Sequence, residues 1–128
     1  MNDSIAAPSH KVRILCVEDD RDTCELIGVL FPDYDIKFAY TMSEGISLFE
    51  SQTFDLCVLD NWLPDGSGIE LCLKIRALNS AVPIVFASAV GYKTEIQKAM
   101  DAGAQEYLVK PYEPETLQKI VKKLTEKH

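Results

Sequence analysis

The sequence predicts a doubly wound α/β fold, in which helices cover both faces of a parallel five-stranded sheet. Five short apolar runs alternate along the chain with segments whose apolar residues recur at helical spacing. Four of the runs are almost continuously apolar, which is typical of strands that are covered on both faces. Parallel strands need crossover helices, and right-handed crossovers place these helices on both sides of the sheet. The expected architecture is a (βα)5 three-layer sandwich.

The apolar runs give the positions of the five predicted strands. The second run differs from the others, because Ile36, Phe38 and Tyr40 alternate with Lys37 and Ala39. This alternation predicts an edge strand with one wetter face. The other four strands are predicted over residues 12–17, 54–59, 84–87 and 107–109.

Helices are predicted between the strands. Apolar stripes at positions i, i+3, i+4 and i+7 begin at residues 23, 42, 96 and 117, and a further apolar face covers residues 71–78. Thr41-x-x-Glu44 and Ser67-x-x-Glu70 match the capping box, in which side chains satisfy the free N–H groups at a helix start. These two motifs mark the starts of the second and third helices.

Length and composition fit a single globular domain. The chain has 128 residues, of which 47% are apolar and 26% are charged, so it can bury a substantial core. Residues 1–10 are polar and small, and we expect them to form a flexible leader before a domain over residues 11–128. No apolar run approaches the ~18 residues of a membrane-spanning helix, so we expect no membrane insertion.

Charge and cysteine usage narrow the class of function. The 13 basic and 20 acidic residues give a net charge of −7, which excludes nonspecific nucleic-acid binding through the overall field. Cys16, Cys24, Cys57 and Cys72 form no C-x-x-C pair, and three of them lie inside apolar runs. This pattern predicts small buried thiols in a reducing compartment, the cytoplasm.

Polar residues follow four of the predicted strands at their carboxyl ends. In a doubly wound sheet, ligands bind beyond these ends, at the switch point of the strand order. Carboxylates gathered there repel one another and recruit a hard cation such as Mg²⁺, whose charge lets a phosphoryl group approach. A lysine and a hydroxyl beside them complete a phosphoryl-transfer site, where a carboxylate nucleophile gives an acyl phosphate. The residues are Glu18, Asp19 and Asp20 after the first strand, Asp60 after the third, Ser88 after the fourth and Lys110 after the fifth.

Several segments in chain order carry a resemblance to a known family. They are ILCVEDD at 14–20, FDLCVLD at 54–60 followed by LPDGSG at 63–68, PIVFASA at 83–89 and AGAQEYLVKPY at 102–112. Together they resemble the receiver domain of two-component response regulators over nearly the whole chain. The resemblance implies the flavodoxin-like strand order 2-1-3-4-5.

The resemblance also implies a phosphoacceptor and a set of metal ligands. Asp60 would accept a phosphoryl group from a phosphohistidine on a histidine kinase or a histidine phosphotransfer protein. Asp19 would ligate Mg²⁺, or Mn²⁺ as an alternative, directly, and Glu18 would do so through water. Asp60 and the backbone carbonyl of Trp62 would complete the protein ligands.

Further roles implied by the resemblance concern the phosphoryl group and the response to it. Lys110 would pair with Asp60 and then with the phosphoryl oxygens, and the bond from Lys110 to Pro111 would be cis. Ser88 would move to hydrogen-bond the phosphoryl group, and Tyr107 would turn inward when Ser88 moves. The output surface would be formed by the fourth helix, the fifth strand and the fifth helix.

Four positions depart from the commonest family pattern. Glu18 stands where many members have Asp, and Ser88 stands where Thr is commoner; both keep the required chemistry. In the family that the chain resembles, the positions of Trp62 and Val90 border the phosphoryl group and affect how fast water attacks it. Both are apolar and neither can orient a water, so we predict a long-lived phosphoryl group.

The function predicted from these observations is a phosphorylation-controlled signalling switch, which catalyses only its own phosphorylation and dephosphorylation at Asp60. A flavin- or nucleotide-binding enzyme would need a phosphate loop after the first strand, where three acids stand instead. A haloacid-dehalogenase-type phosphatase would need a second Asp at the position of Trp62. An adaptor that binds partners without phosphorylation would have no use for the complete set of site residues.

Other interpretations of single residues stay open at this stage. The acids after the first strand also suit a helix cap, Tyr107 suits a half-exposed aromatic on an edge strand, and Trp62 suits an exposed loop or partner contact. The sequence ends near the predicted fifth helix, so a stand-alone receiver and the N-terminal part of a longer regulator are both open. The expected partner is a downstream protein or a C-terminal output domain, with no direct nucleic-acid binding.

Overall fold

The structure, a computed structural model, describes residues 11–126 and contains the predicted three-layer α/β sandwich. The predicted flexible leader at residues 1–10 lies outside the described residues. The strands of the main sheet are β1 (Arg13–Val17), β2 (Asp35–Ala39), β3 (Leu56–Leu59), β4 (Ile84–Ser88) and β5 (Glu106–Val109). The helices are α1 (Arg21–Leu30), α2 (Met42–Ser51), α3 (Gly68–Leu78), α4 (Lys93–Asp101) and α5 (Pro114–Thr125).

The main sheet is entirely parallel and has the order β2-β1-β3-β4-β5, so the predicted fold class and strand order are confirmed. β2 lies at one edge, as its alternating sequence predicts, and β5 lies at the other. The order reverses between β1 and β3, because the chain first adds β2 on one side and then continues on the other. The carboxyl ends of β1 and β3 therefore flank the switch point.

The core consists of two apolar layers, one on each face of the sheet. Alternate residues of each strand enter opposite layers, as Leu15 and Ile14 do in β1. The first layer packs against α2, α3 and α4, and the second against α1 and α5. Two leucines of the predicted helical stripes are exposed instead: Leu26 on α1 (53%) and Leu78 at the end of α3 (55%).

Two local features differ from the sequence prediction. β3 begins at Leu56 rather than at residue 54, because the Asp55 carboxylate accepts the Arg13 N–H at 2.8 Å in place of a ladder carbonyl. A short hairpin follows β3, in which the two-residue strands Trp62–Leu63 and Gly66–Ser67 pair in antiparallel fashion. The sequence analysis did not predict this hairpin. None of the helices within residues 11–126 combines the length and apolar character needed to cross a bilayer.

Candidate functional site

The sheet itself holds the site residues in place through backbone hydrogen bonds just beyond the strands. The Asp60 N–H donates to the Val17 carbonyl, and the Lys110 N–H donates to the Ser88 carbonyl, each at 2.9 Å. The Glu18 N–H donates to the carbonyl of Ala39, the last residue of β2, also at 2.9 Å. Because these residues continue the ladder, their side chains leave the sheet at one edge and converge there.

Three carboxylates meet at this edge. Oxygen atoms of Glu18, Asp19 and Asp60 lie within 4.8 Å of one another. Glu18 and Asp60 are buried, at 3% and 9% exposure, whereas Asp19 is exposed. Carboxylates at this spacing repel one another strongly unless a cation stands between them. The donors are hard oxygens with one open side, which fits Mg²⁺, a cation that uses few carboxylates and keeps several waters.

Lys110 supplies the fixed positive charge of the site. Its Nζ lies 2.7 Å from Glu18 Oε1 and 3.8 Å from Asp60 Oδ2, so its nearest carboxylate is Glu18 rather than Asp60. Burial alone lowers the pKa of Lys110, but the hydrogen bond and charge of Glu18 and the charge of Asp60 outweigh it and raise that pKa. Lys110 is therefore fully protonated at neutral pH.

Glu18 is constrained from both sides. One oxygen accepts from Lys110 and the other accepts the Asp20 N–H at 3.0 Å. Burial nevertheless raises the pKa of Glu18, because its desolvation outweighs these two favourable contacts and the nearby Asp60 carboxylate adds repulsion. A cation at the site would relieve that repulsion.

The first helix is capped by Asp20, whose carboxylate accepts the Thr23 N–H at 3.3 Å and the Thr23 hydroxyl at 2.5 Å. These contacts hold the pKa of Asp20 below its usual range, chiefly through the Thr23 hydroxyl. The capping interpretation therefore applies to Asp20. Glu18 and Asp19 are directed to the carboxylate cluster instead.

Ser88 and Tyr107 lie on the neighbouring strands β4 and β5, and both hydrogen-bond the backbone of Val90 in the loop after β4. Ser88 is fully buried and its Oγ accepts the Val90 N–H at 3.2 Å. The Tyr107 hydroxyl donates to the Val90 carbonyl at 2.5 Å, and its ring stacks on Phe86 with centroids 5.3 Å apart. Tyr107 lies on the edge strand and is partly buried, with its hydroxyl turned inward to the loop after β4.

The two predicted modulators of phosphoryl lifetime differ sharply in exposure. Trp62 lies in the hairpin and is 64% exposed, while its N–H approaches Asp60 Oδ1 at 3.4 Å. Val90 is 3% exposed. The Lys110–Pro111 peptide bond is cis, as the resemblance implies.

Sequence reasoning missed Asn61, which directly follows Asp60. Asn61 is 1% exposed, and its Oδ1 accepts the Ile69 N–H at 3.3 Å while its carbonyl accepts the Gly68 N–H at 2.8 Å. It thus holds the first turn of α3 beside the carboxylate cluster. The sequence shows only that Asn61 is a polar residue after an apolar strand. Its burial results from the close approach of α3, which the sequence does not show.

That approach depends on Gly68, the first residue of α3. A Cβ at this position would lie 2.3 Å from the Asp60 carbonyl oxygen and 2.8 Å from Phe86 Cε2. Contacts this short do not occur between real atoms, so only glycine lets the start of α3 lie against Asp60.

Asp65, in the hairpin turn, is a second residue whose role the sequence did not reveal. Its two carboxylate oxygens accept the N–H groups of Met42 and Ser43 at 2.7 and 3.0 Å. These backbone hydrogen bonds lower the pKa of Asp65. Asp65 thereby attaches the start of α2 to the hairpin that follows the site, although Pro64-Asp65-Gly66 looks like an ordinary turn in sequence.

The chain is similar to known proteins over most of its length. It matches the family model described as response regulator receiver domain over residues 14–122. It is 34% identical to the transcriptional regulatory protein RprY of Bacteroides fragilis, over 84% of this chain and 47% of that protein, and so spans about half the length of that relative. Its TM-score with the crystal structure of a two-component response regulator from Clostridium difficile is 0.85, at 32% identity over 89% of this chain and 95% of the other. With the BeF3-activated DrrB receiver domain the TM-score is 0.84, at 27% identity over 92% and 100% of the two chains.

Proposed function

The chain belongs to the response regulator receiver domain family, and from this premise we propose that it is a phosphorylation-controlled signalling switch with Asp60 as its phosphoacceptor. The observation that carries the proposal is the meeting of three carboxylates, Lys110 and Ser88 at one edge of the sheet. A catalytic site of this composition suits phosphoryl transfer, where positioned charges stabilise the transferring group.

The proposed reaction transfers a phosphoryl group from a phosphohistidine to Asp60. A carboxylate oxygen of Asp60 forms a bond to phosphorus while the P–N bond breaks, and the imidazole nitrogen keeps the electron pair and takes up a proton. Lys110 Nζ, 3.8 Å from Asp60 Oδ2, attracts the phosphoryl oxygens and neutralises part of their charge. The Ser88 hydroxyl then hydrogen-bonds the phosphoryl group.

Glu18, Asp19, Asp60 and the Trp62 backbone carbonyl are the proposed ligands of Mg²⁺, or alternatively Mn²⁺. When bound, the cation offsets the charge of the acids and of the phosphoryl oxygens. The three carboxylates fit this role because their oxygens are already within 4.8 Å of one another.

The proposed output is a change of the surface formed by α4, β5 and α5. Engagement of Ser88 by the phosphoryl group would change the surroundings of Tyr107, which lies on β5. Tyr92, Met100 and Val109 are exposed apolar residues in or beside this surface. Such residues are suited to a contact that one of two conformations favours.

The proposed partners are a histidine kinase or a histidine phosphotransfer protein upstream, and a downstream protein or a C-terminal output domain. RprY is named a transcriptional regulatory protein, and this chain spans 47% of it, so an output domain in the same protein is part of the proposal. We also propose a cytoplasmic location, which the four buried free thiols support.

The proposal is tested by a Mg²⁺ titration followed by beryllofluoride, with Trp62 fluorescence as the readout. Trp62 is the single tryptophan and lies two residues from Asp60, so both additions should change its emission. Asp60→Asn should abolish the beryllofluoride response. Asp33→Asn, which alters an exposed carboxylate in the turn before β2, should keep it. A response that survives in Asp60→Asn would contradict the proposal and favour an adaptor that works without phosphorylation.

A further inference from the structure

Arg21, the first residue of α1, holds its guanidinium over the aromatic ring of Tyr40. The guanidinium carbon lies 3.6 Å from the ring centroid, a close cation–π contact that fixes the position of the charge without neutralising it. Arg21 is exposed, and its side chain forms no ion pair with any residue in the range 11–126. Its N–H donors are therefore available to a ligand.

Tyr40 places this charge beside the carboxylate cluster. Hydrogen bonds of the Glu18 and Asp60 N–H groups continue the parallel ladder one residue past the strands, so Tyr40, Glu18 and Asp60 stand in one row on β2, β1 and β3. The residues two places earlier in these strands all enter the core layer on the side of α1: Phe38, Cys16 and Val58. Because neighbouring strands lie about 4.8 Å apart, Tyr40 is one strand spacing from Glu18 and two from Asp60, on the same face of the sheet.

Helix stability does not explain a cation at this position. Arg21 lies in the first turn of α1, where the helix dipole favours negative charge over positive. Asp20 and Asp22 adjoin it in sequence, but neighbouring side chains on a helix do not face each other. The position of Arg21 therefore points to a role at the edge of the site.

The charge of Arg21 differs from that of Lys110 in how far carboxylates already use it. Lys110 Nζ lies 2.7 Å from Glu18 and 3.8 Å from Asp60, so the cluster compensates most of its charge. A phosphodonor is an anion, and the clustered carboxylates repel it. An exposed guanidinium at the rim offsets this repulsion, and its paired N–H groups match the spacing of phosphate oxygens.

We propose that Arg21 is a donor-binding residue, whose guanidinium attracts the anionic phosphodonor and binds its oxygens before the phosphoryl group moves to Asp60. This inference rests on the proposed function and adds to it the residue that the donor meets first. Arg21 should favour a donor of higher negative charge over one of lower charge. Transfer and later hydrolysis are left to the residues around Asp60.

The test compares two phosphodonors of different charge at fixed Mg²⁺, with intact-protein mass spectrometry as the readout. At neutral pH acetyl phosphate is a dianion and phosphoramidate is a monoanion. At an ionic strength of about 0.05 M, Arg21→Gln should slow phosphorylation by dilute acetyl phosphate about tenfold and by phosphoramidate about threefold. At about 0.5 M the deficit with acetyl phosphate should shrink to about threefold, because salt screens the attraction. The dephosphorylation half-life should stay unchanged.

Three further variants separate the positioned charge from net charge and from folding. Arg21→Lys keeps the charge and should retain about half of the wild-type rate with acetyl phosphate. Tyr40→Leu releases the guanidinium and should slow this reaction about threefold, but less than about 1.5-fold in the Arg21→Gln background. Lys123→Gln removes the same charge from the last turn of α5, at the end of that helix away from Lys110, and should match wild type.

Equal rates in wild type and Arg21→Gln would overturn the inference. So would a deficit that is the same for both donors and does not respond to salt, because that is the effect of a disturbed structure. Either result would leave the proposed function intact. A wild-type protein that gains no phosphoryl group from either donor in Mg²⁺ would overturn the proposed function and this inference with it.

Discussion

At the scale of single residues, the pairing of Lys110 decides how the site is charged before any phosphoryl group arrives. Lys110 Nζ is 2.7 Å from Glu18 and 3.8 Å from Asp60. In the proposed mechanism, the closer contact holds the Lys110 ammonium in place and the longer one leaves Asp60 free to react. Glu18 therefore has two proposed roles: it positions Lys110 through an ion pair, and it is a ligand of the metal ion.

Replacement of Lys110 should therefore slow phosphorylation without preventing folding. Lys110→Met removes the positioned charge, and we expect the rate of phosphorylation by acetyl phosphate to fall about a hundredfold. Lys98→Met is the matched control, because Lys98 is an exposed lysine of α4 that forms an ion pair with Glu95 on the same helix. Both rates are measured by intact-protein mass spectrometry. A Lys110→Met rate within about threefold of the control would contradict the assigned role.

The identity of Trp62 should set the lifetime of the phosphoryl group. Trp62→Asn introduces a group able to orient water, and we expect the dephosphorylation half-life to shorten about tenfold. Leu73→Asn serves as control, because Leu73 is an exposed apolar residue of α3. Equal half-lives in wild type and Trp62→Asn would refute the prediction. Val90→Glu is the poorer probe, since Val90 is 3% exposed and a carboxylate there would be desolvated.

Four candidate site residues could be located from sequence, because each is the first polar residue after an apolar strand. Asp60 and Lys110 are examples, and the rule that parallel strand ends meet at one edge brings them together. Asn61 could not be predicted, because its burial results from the close packing of α3 at Gly68. The closeness of Lys110 to Glu18 depends on side-chain geometry, which the order of residues does not specify.

At the scale of the elements, the start of α3 depends on a single glycine. Gly68→Ala would place a Cβ 2.3 Å from the Asp60 carbonyl oxygen, so α3 must move away. We expect a loss of about 1–3 kcal/mol in the free energy of unfolding, together with slower phosphorylation. Gly28→Ala on α1 meets no atom within 4 Å and should instead stabilise by about 0.5–1 kcal/mol. Urea unfolding measures both; a neutral Gly68→Ala would contradict the packing argument.

The cap that Asp65 provides for α2 should appear in the pH dependence of stability. Hydrogen bonds from Met42 and Ser43 lower the pKa of Asp65 in the folded state. The cap therefore contributes fully above the unfolded pKa of about 3.9 and is lost as the pH falls through the lower folded pKa. Asp65→Ala should therefore lose less of its free energy of unfolding than wild type does on acidification. Urea unfolding between about pH 5.5 and about pH 2.5 measures this difference. Asp33→Ala is the control, and its free energy of unfolding should fall with pH as that of wild type does. If the free energy of unfolding of Asp65→Ala also falls in parallel with that of wild type, the proposed contribution of the cap is contradicted.

The elements themselves were largely predictable, with errors at their margins. The apolar runs, four nearly continuous and one alternating, identified every strand of the main sheet, and the Thr41 and Ser67 caps are present at 3.1 and 3.0 Å from their backbone partners. The start of β3 was wrong by two residues, because the Asp55 carboxylate replaces a ladder hydrogen bond. Leu26 was wrongly assigned to the buried face of α1, since helical spacing does not show which edge of the apolar stripe meets the sheet.

At the scale of the whole molecule, the sheet joins the candidate site to the proposed output surface. β4 ends in Ser88, and its neighbour β5 carries Tyr107 and ends beside Lys110. β5 is part of the proposed α4–β5–α5 surface, and β4 pairs with β5 along its length. We propose that a change at Asp60 reaches that surface through these two paired strands.

The central claim of this account is that Asp60 accepts a phosphoryl group in a Mg²⁺-dependent reaction. The most direct measurement is intact-protein mass spectrometry after incubation with acetyl phosphate, with and without Mg²⁺. The account predicts a gain of one phosphoryl group with Mg²⁺, no gain when EDTA removes the cation, and no gain in Asp60→Asn. A wild-type protein that gains no phosphoryl group in Mg²⁺, or an adduct that persists in Asp60→Asn, would contradict it.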